Sequence, residues 1–242
     1  MTEQLLAQSR SETWPTVGVS VVIFSLRPSA EGRRELAVLL VRRPNEPCAG
    51  LWALPGGWVR NGEGLEESAR RHLLTKTGLH PTFLEQLYTF GQPDRDPREH
   101  RIAVGYYALV RTDDDTMLQG EREASWFGVG NLPSPLAFDN DQIVQYALWR
   151  LRNKVSYAYV AYQLLPPTFT LAQLREVYEV IGGETIDPTN FRRKVEASGT
   201  IAATGERVEG GAHRPPQLYR CNVSPRGVTP DTLFPVMHHA AS

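Results

Sequence analysis

The strongest constraint on this fold is a change of texture at Pro133 and Pro135. Before these prolines, aliphatic and β-branched runs of strand length dominate; after them, apolar residues recur at helical spacing. The runs at residues 17–24, 36–41, 102–110 and 124–127 predict strands, and the turn-rich residues 27–34 predict a hairpin connection. One helix is predicted over residues 63–77, with Leu65, Ala69 and Leu73 at four-residue spacing and Gly78 as its stop. This part is mixed α/β.

The second part opens at Asp139 and Gln142, a D-x-x-Q variant of the capping box, ahead of Ile143, Ala147, Leu148 and Leu151 on one face. Tyr157, Val160, Ala161 and Leu164 predict a second helical stripe, ended by Pro166-Pro167. Thr170 and Gln173 cap a further helix that Gly182-Gly183 stops, and Asp187-Pro188 begins another. Strand-like pieces at residues 201–208 and 217–221 then flank a glycine-rich tip. Helix, turn, helix and two-stranded ribbon is the order of a winged helix-turn-helix. The expected division is a tail at residues 1–13, an α/β domain at 14–153, a winged helix at 154–224 and a tail at 225–242.

Composition narrows the class further. A chain of 242 residues suits two domains, and 41% hydrophobic with 22% charged residues excludes wholesale disorder. No apolar run approaches the roughly 18 residues of a membrane span, and the N-terminus lacks a basic head followed by an apolar segment. Cys48 and Cys221 form no C-x-x-C pair. A cytoplasmic protein with reduced thiols and no membrane partner is therefore expected. The net charge of -1 argues against a surface coated in polyanion but leaves room for a local basic face.

Residues 54–79 carry the sharpest motif. They resemble the Nudix box, G-x5-E-x7-R-E-U-x-E-E-x-G-U with U a bulky aliphatic: Gly57, Glu63, Arg71, Gly78 and Leu79 keep its spacing. The resemblance implies a Nudix αβα sandwich, in which the carboxylates after the arginine hold magnesium or manganese against a diphosphate. Here those positions read His72, Thr75 and Lys76. An ammonium where the metal should sit repels it, so no metal site and no hydrolase activity are expected. Glu63, Glu66 and Glu67 are the alternative ligands if the enzyme survives.

Such a domain can still bind a nucleoside diphosphate. Gly56 and Gly57 read as a loop whose backbone N–H groups can approach phosphate. Arg42, Arg43 and Arg60 are candidates for charge-assisted phosphate contacts.

The stretch Arg95-Asp96-Pro97-Arg98 and the residues 102–110, 136–139, 164–171, 190–194 and 214–220 extend the resemblance across residues 14–223. Together they are similar to the bacterial Nudix-related transcriptional regulators of NAD metabolism, the NrtR family. The resemblance implies a homodimeric DNA-binding regulator, expected to be a repressor of NAD biosynthesis or salvage genes. It implies ADP-ribose or a related nucleotide as effector rather than cofactor, and adds Asp96, Arg98 and Phe138 to the expected ligand site. Asn140 departs from the pattern, which has histidine there. Residues 139–165 would be the lever between the domains.

In the helix opened by Pro188, a turn of 100° per residue points Phe191 and Val195 inward. Thr189 and Arg193 then point outward, with Asn190 nearby and Arg192 and Lys194 on the flanks. Arginine can pair with guanine and asparagine with adenine, while flanking cations meet phosphates of double-stranded DNA. Arg214 at the ribbon tip is the expected wing contact. Three functions compete: the regulator, an active ADP-ribose pyrophosphohydrolase, and a module whose helical part docks a protein. His72, Thr75 and Lys76 oppose the second; the 192–194 helix and Arg214 oppose the third.

Overall fold

The longest aliphatic run folds as strand β1 (Thr16–Pro28), buried on both faces and so apolar throughout rather than alternating. In the computed structural model, which describes residues 14–111, 123–155, 159–208 and 215–222, it is followed by β2 (Arg34–Arg42), β3 (Trp52–Ala53) and β4 (Gly56–Trp58). Helix α1 (Leu65–Thr77), β5 (Phe83–Phe90), β6 (Arg101–Leu109) and β7 (Ala124–Gly128) complete this part. The strands form one mixed sheet along the path β3-β2-β1-β6-β5, with β4 added to β1 and β7 to β2. Among the described strands only β1 and β6 run parallel, with Thr16 opposite Arg101 and Phe24 opposite Leu109.

Alternate residues sort into two cores. Val19, Val21 and Ile23 pack with Leu39, Val104 and Tyr106 under Ala69 and Leu73 of α1. Val22, Phe24 and Leu26 pack with Val38, Leu40 and Tyr107 against Ile143, Ala147 and Leu151 of helix α2 (Asn140–Val155). The sheet is thus sandwiched between helices. The second core continues without a break into the C-terminal helices, through Leu174, Val177, Ile181, Phe191 and Val195. Polar ties cross the same junction: the Thr82 hydroxyl donates to the Gln163 carbonyl at 2.9 Å, and Arg152 Nε to the Ile181 carbonyl at 3.1 Å.

The winged helix consists of α3 (Leu171–Gly182), α4 (Pro188–Ala197), β8 (Ile201–Arg207) and β9 (Gln217–Cys221). Thr170 and Gln173 form the expected capping box, Gly183 ends α3 at φ +77°, and the Asp187 carboxylate accepts from Asn190 N–H to start α4. The ribbon strands pair antiparallel.

Several expectations change. Helix α1 starts at Leu65 behind Gly64, so Glu63 lies outside it. The Gly56-Gly57 loop is strand β4, and the reason is steric: a Cβ on Gly56 would lie 2.2 Å from the Val19 carbonyl oxygen. Asp139 spends both carboxylate oxygens on Arg95, at 2.6 and 2.9 Å, while Gln142 N–H donates to its main-chain carbonyl. The stripe after α2 is a 3-10 helix, Tyr159–Leu164, rather than an α-helix; Tyr157 lies outside the described residues. Position 153 falls in the last turn of α2. Neither cysteine is in a disulfide. Among the described residues, no helix is long and apolar enough to cross a membrane.

Candidate functional site

Strands β1, β4 and β6 and the start of α2 surround a cavity of about 390 Å³ beside the N-terminal half of the sheet. That size is within the range of small-ligand sites. Of the expected ligand residues, Arg43, Gly56, Gly57, Asp96, Arg98 and Phe138 line it. Arg42 does not: at the end of β2, it donates to the Gly50 carbonyl and meets Glu123 at 3.4 Å. Arg60 is also outside the lining, its backbone N–H held by the Glu63 carboxylate at 2.9 Å.

The cavity gathers cations that local reading did not assign to it. Arg95, Arg101 and Lys76 join Arg43 and Arg98 on the wall. Carboxylates hold three of these arginines in place: Asp139 binds Arg95, Asp96 binds Arg98 at 2.7 Å and Arg101 at 3.1 Å, and Glu99 binds Arg101 at 2.8 Å. Burial disfavours the Asp96 carboxylate, but the hydrogen bonds from Arg98 and the charge of Arg101 outweigh it and lower its pKa. Arg43 lies over the Phe138 ring at 4.6 Å and Arg98 at 5.8 Å, while Arg101 lies over Trp58 at 4.4 Å. Phe138 adopts φ +57°, a left-handed conformation that costs an ordinary residue about 1–2 kcal/mol. Its ring is thereby presented to the cavity. Asn140, in the position that departs from the family pattern, is 4% exposed and accepts from Leu54 N–H at 2.8 Å. It ties the start of α2 to the link between β3 and the glycine strand β4.

Along α1, the box residues have new partners. His72 Nε2 lies 3.0 Å from the Trp58 carbonyl, and burial pushes the His72 pKa down. Lys76 Nζ donates to the Gly56 carbonyl, and Thr75 is exposed. Arg71 binds Glu63 through two nitrogens at 2.5 and 2.7 Å, which holds the Glu63 pKa at about 2. Glu66 is paired with Arg70 at 2.9 Å. Among the described residues, no group of three or more His, Cys, Asp or Glu side chains could hold a metal. An imidazole and an ammonium on the helix face do not fit magnesium, which wants oxygen ligands.

On the winged helix, Phe191 and Val195 are buried, and Thr189, Asn190, Arg192 and Arg193 are exposed with Lys194 half-buried. Arg193 donates to the Asn190 side-chain carbonyl at 2.9 Å, which pairs the two candidate base readers one turn apart. Arg192 meets Glu196 at 3.0 Å. Releasing such an exposed pair costs about 0–1 kcal/mol, so it does not withhold Arg192 from a phosphate. A groove of about 560 Å³ beside this helix is lined by Arg175, Arg192 and Arg207 together with Phe191 and Tyr219. Arg214 lies outside the described residues.

Comparison with known proteins matches both parts. Residues 14–147 fit the model of the NUDIX domain, and residues 161–221 that of the NrtR DNA-binding winged helix domain. The chain is similar to the ADPR responsive transcriptional repressor NtrR of Acinetobacter baylyi, 35% identical over 90% of this chain and 87% of the relative. It is also similar to the crystal structure of Shewanella oneidensis NrtR complexed with a 27mer DNA, with TM-score 0.75 and 34% identity over 89% of this chain and 94% of that one. The NUDIX domain of the same Shewanella protein, in a cocrystal with ADP ribose, matches at TM-score 0.50 and 31% identity, over 62% of this chain and 99% of that one.

Proposed function

We propose, because this chain belongs to the NrtR family of Nudix domains joined to a winged helix, that it is a transcriptional repressor released from operator DNA by ADP-ribose. The observation that carries this reading is the joining of the two candidate sites: one apolar core runs from the sheet beside the cationic cavity to the helix that presents Thr189, Asn190 and Arg193. Similarity to an ADPR responsive repressor and to a DNA complex over nine tenths of the chain supports both ligands. The effector is ADP-ribose or a close NAD-derived nucleotide, and no cofactor takes part. Its anionic diphosphate suits the walls formed by Arg43, Arg98 and Arg101, and Phe138 offers an aromatic face for stacking. The operator is double-stranded DNA near NAD biosynthesis or salvage genes, read by a homodimer. The test is a gel-shift titration on DNA upstream of the protein's own operon, repeated with ADP-ribose. A complex that forms and dissolves with nucleotide supports the reading; no complex refutes it.

The Nudix part binds without hydrolysing. The box positions hold His72, Thr75 and Lys76, and Glu63 and Glu66 are engaged by arginines. Diphosphate cleavage needs a charge neutralisation that this helix face does not give to a metal. Turnover of ADP-ribose with Mg²⁺ or Mn²⁺ should be negligible; turnover near roughly 1 s⁻¹ would place the chain in the ordinary enzyme range and refute this.

On the DNA side, Arg193→Ala should relax base preference by about 1–3 kcal/mol if the side chain forks onto a base. Arg192→Ala should instead weaken all sequences evenly and flatten the salt slope, as loss of a phosphate contact does. Binding competition among operator variants at two salt concentrations separates the two. Parent-like behaviour of both variants would remove α4 from the DNA interface.

A further inference from the structure

We propose that Lys76 is the cation that this chain supplies to the effector's diphosphate, so that the nucleotide binds the cavity without a divalent metal. The inference rests on the cavity being a nucleotide site, and it concerns how that site is neutralised.

The geometry begins with α1 lying against β4. His72 and Lys76 are one helical turn apart, and both reach the same short strand: His72 to the Trp58 carbonyl at 3.0 Å and Lys76 to the Gly56 carbonyl. Both side chains line the cavity. At Gly56 and Gly57 the strand has no side chain to interpose, because a Cβ on Gly57 would lie 2.4 Å from the His72 ring and one on Gly56 would strike β1. The cavity floor is therefore made by an imidazole and an ammonium.

A hard divalent cation needs oxygen ligands, and this floor presents none from carboxylates on α1. A diphosphate still has to be neutralised when it leaves water. The arginines of the cavity do this only in part, since Asp139, Asp96 and Glu99 already pair with Arg95, Arg98 and Arg101. Lys76 adds a positive charge from the α1 side, where its bond to Gly56 holds it in position. A diphosphate in the cavity then meets the ammonium as well as the arginines. Partial burial of His72, with the charges of Arg71 and Lys76, lowers its pKa and so favours the uncharged ring. It can shape the floor without adding charge.

The test is calorimetry of ADP-ribose with the full chain and with Lys76→Met and Lys76→Arg, each in EDTA and in Mg²⁺, at low and high KCl. The parent should bind equally in EDTA and Mg²⁺. Lys76→Met should weaken ADP-ribose by about 10–100-fold, the scale of losing a charged hydrogen bond, and should flatten the KCl dependence. Lys76→Arg should keep most of the affinity. Operator binding by each nucleotide-free variant reports that the chain is folded. Should the Met variant fail that control, the metal independence of the parent and the behaviour of Lys76→Arg decide the matter. The inference is overturned if EDTA abolishes binding to the parent, or if folded Lys76→Met binds as tightly and with the same salt slope. A parent that binds no ADP-ribose under any condition overturns the nucleotide reading itself, and this inference with it.

Discussion

Replacing Ile181 by alanine in the winged helix is expected to lower the melting temperature of the whole chain in a single transition. Ile181 is fully buried in the core that also contains Tyr107 and Leu109 of the sheet and Ile143 and Leu151 of α2. Truncating such a side chain costs about 2–5 kcal/mol, the lost transfer energy plus the cavity left behind. For a chain of this size each kcal/mol lowers the midpoint by about 2–4 °C, so a drop of roughly 4–20 °C is expected. The distribution of the loss matters as much as its size. If the two parts were joined only by a linker, the sheet would melt at its own temperature and the winged helix at a lower one. The shared core, with Arg152 bonded to the Ile181 carbonyl across the junction, predicts that they fall together. Calorimetry and near-ultraviolet circular dichroism on the same variant should give coincident transitions. Two separated ones would mean that the junction contributes little.

That core also explains what the sequence made legible and what it hid. Strands β1, β2 and β6 are visible because burial on both faces demands unbroken aliphatic runs. The capped helices α3 and α4 are visible because Thr170, Gln173, Asp187 and Pro188 are local signals that tertiary contacts did not override. Strand β4 was hidden because its two glycines, required by the close approach of β1 and His72, read as a loop. Strand β5 carries Glu85 and Gln86 and a bulge between Gln86 and Tyr88, so its alternation is broken. The Asp139 capping pattern misled for a different reason: Arg95, 44 residues away in sequence, claims the carboxylate. The same limit applies to the site. Asp96, Arg98 and Phe138 could be assigned through family resemblance, but Arg42 and Arg43 are neighbours that only their tertiary surroundings tell apart. Lys76 was legible as a missing carboxylate; its place on the cavity wall required the α1–β4 packing.

The last expectation concerns coupling: operator DNA should weaken ADP-ribose binding by the factor by which ADP-ribose weakens operator binding. A ligand can release DNA only if it binds the DNA-free arrangement more tightly than the DNA-bound one. Typical coupling of about 1–3 kcal/mol corresponds to a 5–150-fold change in affinity. The start of α2 is the expected route between the two sites. Phe138, in its left-handed conformation, and Asn140 line the cavity, and Asp139 between them is fixed by Arg95 on the cavity wall. A nucleotide that draws on Arg95 or Phe138 acts directly on the first turn of a helix whose last turns pack against α3. Because the core is continuous, the movement is expected as a shift of packed helices rather than a swing about a linker. Within a homodimer, such a shift changes the spacing of the two recognition helices, and half-sites about 34–36 Å apart no longer match. Calorimetry of ADP-ribose with and without saturating operator measures the factor, and an operator titration with and without ADP-ribose must return the same one. Equal ADP-ribose affinities in both titrations would mean that occupancy of the cavity is not what the winged helix reports.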